Sequence, residues 1–179
     1  HYTGRYLYST LNAEQKQWYQ KIDTAVNNLE EKVILNATNL TENRNYYIYY
    51  LYMFDNPEYF YLVNQVMVTS SDGGGLLLYY AVGNNKGDYC GYGYGSMTKE
   101  LKDKIIAKKQ TFEKEVNRIL STIPANAPDI WKEKLIYDRI LIDCKYNLSA
   151  KWDGLAQDNW TAYGIIVNRT GVCESYSEA

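Results

Sequence analysis

From residue 12 onward the apolar positions fall at helical spacing. Asn12 precedes Ala13-Glu14-Gln15, and Trp18, Ile22, Ala25, Val26 and Leu29 then recur every three or four residues. This pattern predicts a helix of about five turns that packs the stripe inward, with Asn12 as N-cap and Gln15 completing a capping box. Val33 to Leu40 reads as a short extended link. Thr41 is placed to cap a second helix through Tyr47, Ile48, Leu51 and Tyr52, which Asp55-Asn56-Pro57 ends. Phe60 to Thr69 is rich in strand formers, Ser71 to Gly75 signals a turn, and Leu76 to Val82 returns as a second strand. After a turn over Asn84 to Asp88, Tyr89 to Met97 is expected as a third strand. Gly91, Gly93 and Gly95 alternate there with Tyr92 and Tyr94, which puts both rings on one face and leaves the other bare.

Helical spacing resumes from Thr98 to Leu120, with Leu101, Ile105, Phe112, Val116, Ile119 and Leu120 apolar and the lysines between them on a solvated face. Pro124 and Pro128 bracket Ala125-Asn126-Ala127, read as a linker between two parts. Asp129 is placed to cap a further helix whose buried side is expected to carry Trp131, Leu135, Ile136, Ile140 and Leu141. Asn147 to Asn159 reads as a loop. The expected fold class is α+β: residues 1–123 form a module of helices and antiparallel sheet, and residues 124–179 form a second, helical part.

Composition narrows the function. Net charge is −2, and lysines and carboxylates are mixed along the chain, which gives no basic groove for nucleic acid and no polybasic membrane patch. The longest apolar runs, such as Leu76 to Val82, are too short to span a bilayer. Tyrosine is the outlier, at 20 residues against 3 phenylalanines. It suits either a half-exposed sheet or the surface of a secreted protein that contacts a polymer or protein partner. The three cysteines, Cys90, Cys144 and Cys173, lack the spacing of a zinc site or of a disulfide framework. No metal or organic cofactor is expected.

Cys173 is the residue with a chemical signature. Thr170-Gly171-Val172 leads it out of a glycine turn into a helix start, continued by Glu174-Ser175-Tyr176-Ser177-Glu178. At such a place the free N–H groups and the positive end of the helix dipole favour a thiolate, whereas a thiol in an apolar core is inert.

The run Thr161-Ala162-Tyr163-Gly164-Ile165-Ile166-Val167-Asn168-Arg169-Thr170-Gly171-Val172-Cys173-Glu174-Ser175-Tyr176 resembles the start of the bacterial transglutaminase-like domain, and Asp129 to Tyr146 fits the same stretch. Asp55-Asn56-Pro57-Glu58-Tyr59-Phe60-Tyr61 and its flanking helices also look like the module that often precedes this domain in secreted or surface-attached bacterial proteins. The resemblance implies a papain-like core of which residues 124–179 are the helical beginning. It implies that Cys173 is a nucleophile acting on protein or peptide amides through a thioester, by cross-linking, deamidation or hydrolysis, outside the cell or on its surface. The backbone N–H of Cys173 is then one oxyanion donor, with Trp160 and Tyr163 as candidates for a second. Ser175 stands where members commonly carry Gly, and Trp160 where an aromatic residue or His often precedes the Thr-Ala-Tyr-Gly segment. Members also supply a His and an Asp from later strands. The one histidine here is His1, so residues 1–179 alone are expected to be inactive, with the His and Asp coming from a further or separate C-terminal segment. The rival expectation is a non-catalytic module in which the tyrosine-rich sheet binds a surface partner and the cysteine region is degenerate.

Overall fold

Asn12 takes the role its position predicts. In the computed structural model, which describes residues 5–37, 39–151 and 158–179, its Oδ1 accepts from Gln15 N at 2.9 Å while Gln15 Oε1 accepts from Asn12 N at 3.1 Å. His1 and the centre of the loop expected over residues 147–159 lie outside the described residues. A short helix, α1 (Tyr6–Thr10), precedes the capped helix α2 (Ala13–Asn27), which buries Trp18, Ile22, Ala25 and Val26 as expected. Asp55 holds α1 in place, its two carboxylate oxygens accepting from Leu7 N at 3.0 Å and Tyr8 N at 2.7 Å.

The segment after α2 is more than a link. Its first residues form β1 (Lys32–Ile34), which pairs antiparallel with β3 (Gly75–Ala81), Val33 opposite Leu76. The second expected helix starts late. Residues Glu42–Tyr47 make a tight 3₁₀ turn interrupted by Arg44 at φ 56°, Thr41 makes no side-chain cap bond, and the α-helix proper is α3 (Ile48–Asp55). β2 (Leu62–Thr69) and β4 (Tyr89–Cys90) also pair antiparallel with β3, which is therefore the hub of a four-stranded sheet. The third strand expected to Met97 stops at Cys90 because the glycines turn rather than extend. Gly91, Gly93 and Gly95 sit at φ 134°, 86° and 105°, a region closed to most side chains, and Gly91 N donates to Gly95 O at 2.9 Å. Tyr92 and Tyr94 are exposed on this turn, not ranked along one sheet face.

Thr98 caps α4 (Lys99–Leu120), accepting from Leu101 N at 3.1 Å, and the helix buries Leu101, Ile105, Phe112 and Ile119. Its lysines are not all solvent-facing: Lys104 pairs with Asp88 at 2.8 Å, and Lys108 bonds both Val82 O and Asp158. Pro128 rather than Asp129 occupies the N-cap of α5 (Asp129–Asp143). The expected buried side of α5 is largely uncovered: Ile140 is buried, but Trp131, Leu135 and Leu141 are exposed, as are Ile130 and Ile142. Periodicity identifies residues that share a face; it does not say whether another element covers that face. Past α5, β5 (Lys145–Tyr146) pairs in parallel with β6 (Thr170–Gly171).

The architecture is α+β. Part of the tyrosine surplus lies inside it. Tyr19, Tyr49, Tyr52, Tyr61, Tyr79 and Tyr80 are essentially inaccessible, so the sheet tyrosines form interior and not a half-exposed contact face. Four of these hydroxyls have partners: Tyr52 donates to Asp23 Oδ1 at 3.0 Å, Tyr80 to Glu30 O at 2.7 Å, Tyr49 to Val63 O at 2.5 Å, and Tyr19 to Asp55 Oδ2 at 3.3 Å while accepting from Asn56 Nδ2 at 2.7 Å. Ala162, Tyr163 and Ile166 belong to the same apolar cluster as Ile22, Tyr49 and Phe112, so residues on both sides of the Pro124–Pro128 stretch share one core. No helix among the described residues is long and apolar enough to cross a membrane.

Candidate functional site

The run that carries the resemblance folds into three short pieces around a glycine with no room to spare. Residues Gly164–Asn168 form a wide π-helical turn, and Arg169 at φ 57° ends it and hands the chain to β6. A Cβ on Gly164 would lie 2.1 Å from the backbone oxygen of Asp158 and 2.8 Å from that of Thr170, so only glycine lets these three strands of chain meet. Arg169 is fastened to α4 through Glu115 at 2.7 Å.

The chain then enters α6 (Cys173–Glu178), with Cys173 as its first residue. Ser175 fixes the entry. It is fully buried, and its Oγ accepts from Val172 N at 2.8 Å while lying 3.0 Å from Asn159 O as a donor. Val172 N also donates to Asn159 O, at 3.1 Å. The Ser175 hydroxyl therefore ties the cysteine turn to the segment that carries Trp160.

The three cysteines are free, and they differ in setting. Cys90 is buried and donates to Glu31 Oε1 at 3.3 Å; burial pushes its thiol up to about 12. Cys144 donates to Ile165 O at 3.4 Å, and burial raises its thiol as well. Cys173 is the exposed one. Of the two proposed oxyanion partners, Tyr163 is seated in the core, its ring centroid 4.7 Å from that of Phe60 and 4.3 Å from Lys108 Nζ. Burial raises the Tyr163 hydroxyl pKa, with the Asp158 charge adding to the effect. Trp160 ends a 3₁₀ turn (Asp158–Trp160) and faces a cleft.

That cleft lies between α3 with the start of β2 on one side and α6 with Trp160 on the other, and it is small, with a volume of about 40 Å³. Tyr50, Phe54, Tyr59, Phe60 and Trp160 supply its aromatic walls. Glu174 and Glu178, one helical turn apart on α6, supply carboxylates, and Thr161, Asn56 and Asn64 the remaining polar groups. Glu178 Oε2 accepts from Ala162 N at 3.0 Å. Burial nevertheless lifts its carboxyl to about 7, with the Glu174 charge adding to the rise, and burial raises Glu174 also. Glu174 thus turns toward the cleft rather than simply crowding the neighbouring thiol.

Sequence reading did not find this cleft. The one local signal was the Glu174/Glu178 spacing, which puts two carboxylates on one helix face; the opposite wall comes from residues more than a hundred positions earlier. Among the described residues no group of three His, Cys, Asp or Glu side chains is placed to hold a metal. No protein-family model matches the chain, and a comparison with curated proteins finds no match.

Proposed function

We propose that Cys173 is the nucleophile of a transglutaminase-like cysteine enzyme, bacterial and secreted or held at the cell surface, that acts on protein or peptide amides. The observation that carries this reading is the placement of the thiol: exposed, at the first residue of α6, on a turn pinned by the buried Ser175. The sulfur attacks the amide carbonyl carbon, the C–N bond breaks, and the nitrogen leaves as ammonia or an amine after taking a proton. Water or an amine then attacks the thioester and returns the thiol. The single histidine of the sequence is His1, so the proton-shuttling His and its orienting carboxylate come, in this reading, from a segment outside residues 1–179.

The test is residue-resolved alkylation by iodoacetamide at neutral pH, native chain against urea-unfolded chain. Cys173 is expected to react in the native chain at least as fast as in the unfolded one, while Cys90 and Cys144 react faster after unfolding. A Cys173 that reacts more slowly in the native chain than in the unfolded one is a shielded structural thiol, and the catalytic reading is then lost.

A further inference from the structure

The outer face of α5 is apolar, uncovered and its own complement. Ile130 and Trp131 stand exposed in its first turn, Leu141 and Ile142 in its last, and Leu135 and Tyr137 between them. Residues three and four apart share a helix face, so these side chains form one patch along the helix, which is about 22 Å long. Among the described residues the groove on this patch is lined by α5 alone. A contiguous apolar patch of this kind marks an interaction surface. Lys134 and Asp138 lie in the middle of it, bonded to each other one turn apart. They leave the patch neutral, so it favours neither an acidic nor a basic surface. Charges inside an apolar seam are costly to withdraw from water unless they are paired, and their main effect is to fix register.

We propose that a second copy of this chain docks on this face, α5 antiparallel to α5, about a two-fold axis level with Ile136. That register sets Lys134 opposite the partner's Asp138, and Asp138 opposite the partner's Lys134. It also sets Ile130 opposite Ile142, Trp131 opposite Leu141, and Leu135 opposite Tyr137, so every exposed side chain of the face meets a matching one. A two-fold interface requires this self-complementarity. The two intrahelical ion pairs join into a ring of four alternating charges, in which each charge gains a second partner and keeps its first. Parallel helices would instead set Lys134 against Lys134 and Asp138 against Asp138. A slip of one turn in either direction sets one of these two charges against its own copy. A single helix face makes a small interface, so dissociation in the micromolar range is expected. The pairing does not rest on the role of Cys173, which lies on another helix.

The experiment is sedimentation velocity of the chain across the micromolar range, with reductant present so that the exposed Cys173 cannot bridge copies. A reversible monomer–dimer equilibrium is expected. Lys134→Glu and Asp138→Lys each place like charges opposite one another twice per dimer, and each alone is expected to weaken association by about tenfold or more. An equimolar mixture of the two variants restores opposite charges at every contact and is expected to dimerise about as tightly as the parent. That recovery also shows that both variants are folded. If one of them does not fold, Lys134→Glu with Asp138→Lys in the same chain keeps the intrahelical pair and is likewise expected to dimerise like the parent. A parent chain that stays monomeric throughout would assign the face to a different protein or segment and overturn the proposal. A dimer that the single variants leave intact forms through another surface, and a mixture or double variant that does not recover has no such register; either overturns it as well.

Discussion

Burial places the Glu178 carboxyl at about 7, whereas a glutamate in an unfolded chain titrates at about 4.3. Between those values the folded chain keeps a proton that the unfolded chain releases, so folding stability declines as pH rises through that window and levels off above it. Glu178→Gln removes the decline. The variant is expected to melt higher than the parent at pH about 7.5, and to lose that advantage at pH about 4.3, where the parent glutamate is protonated in the folded state and half-protonated in the unfolded one. Melting curves at the two pH values check this. Asp88 acts in the opposite sense. The Lys104 hydrogen bond holds its carboxyl below the usual range, so its contribution is present above about 3.9 and is lost as pH falls through the lower folded value.

At the level of elements, α5 separates what a sequence pattern can say from what it cannot. Its apolar spacing identified the helix, yet among its expected core residues Ile140 is the buried one. Ile140→Ala is therefore expected to cost about 2–5 kcal/mol, whereas Ile142→Ser, at a position 79% exposed, stays within about 0.5 kcal/mol of the parent. Urea unfolding midpoints measure both. The Asn12 capping box, the α2 stripe and the two long strands were legible because a few neighbouring residues determine them. β4 was not: alternating Gly and Tyr satisfies a strand pattern, but three left-handed glycines bend the chain before the strand can extend. The exposed Cys173 at a helix start could be read from Thr170-Gly171 before it. The cleft beside it could not, since its walls approach only after α3 and α6 are packed.

For the molecule as a whole, the decisive contact is the aromatic triad of Phe60, Phe112 and Tyr163. The Phe60 ring centroid lies 5.3 Å from that of Phe112 and 4.7 Å from that of Tyr163, joining the turn before β2, the middle of α4 and the segment before Cys173. Elements that share such a contact are expected to unfold together. Phe112→Ala should lower stability by about 3–5 kcal/mol and shift the transitions seen by tryptophan fluorescence and by far-UV circular dichroism equally. Two separated transitions would instead mark the Pro124–Pro128 stretch as a boundary between independently folding parts.

The interior built from tyrosine has one further consequence. Leucine and phenylalanine pack against any apolar neighbour, but a buried hydroxyl is satisfied only where an acceptor awaits it. Tyr52 needs Asp23, Tyr80 needs Glu30 O, and Tyr19 needs the Asp55 and Asn56 pair. A helix docked one turn out of place would leave several of these groups dry at once, at about 1–3 kcal/mol each. The hydroxyls therefore add little to the depth of the native state and much to its uniqueness, because every competing arrangement of the same helices is penalised several times over.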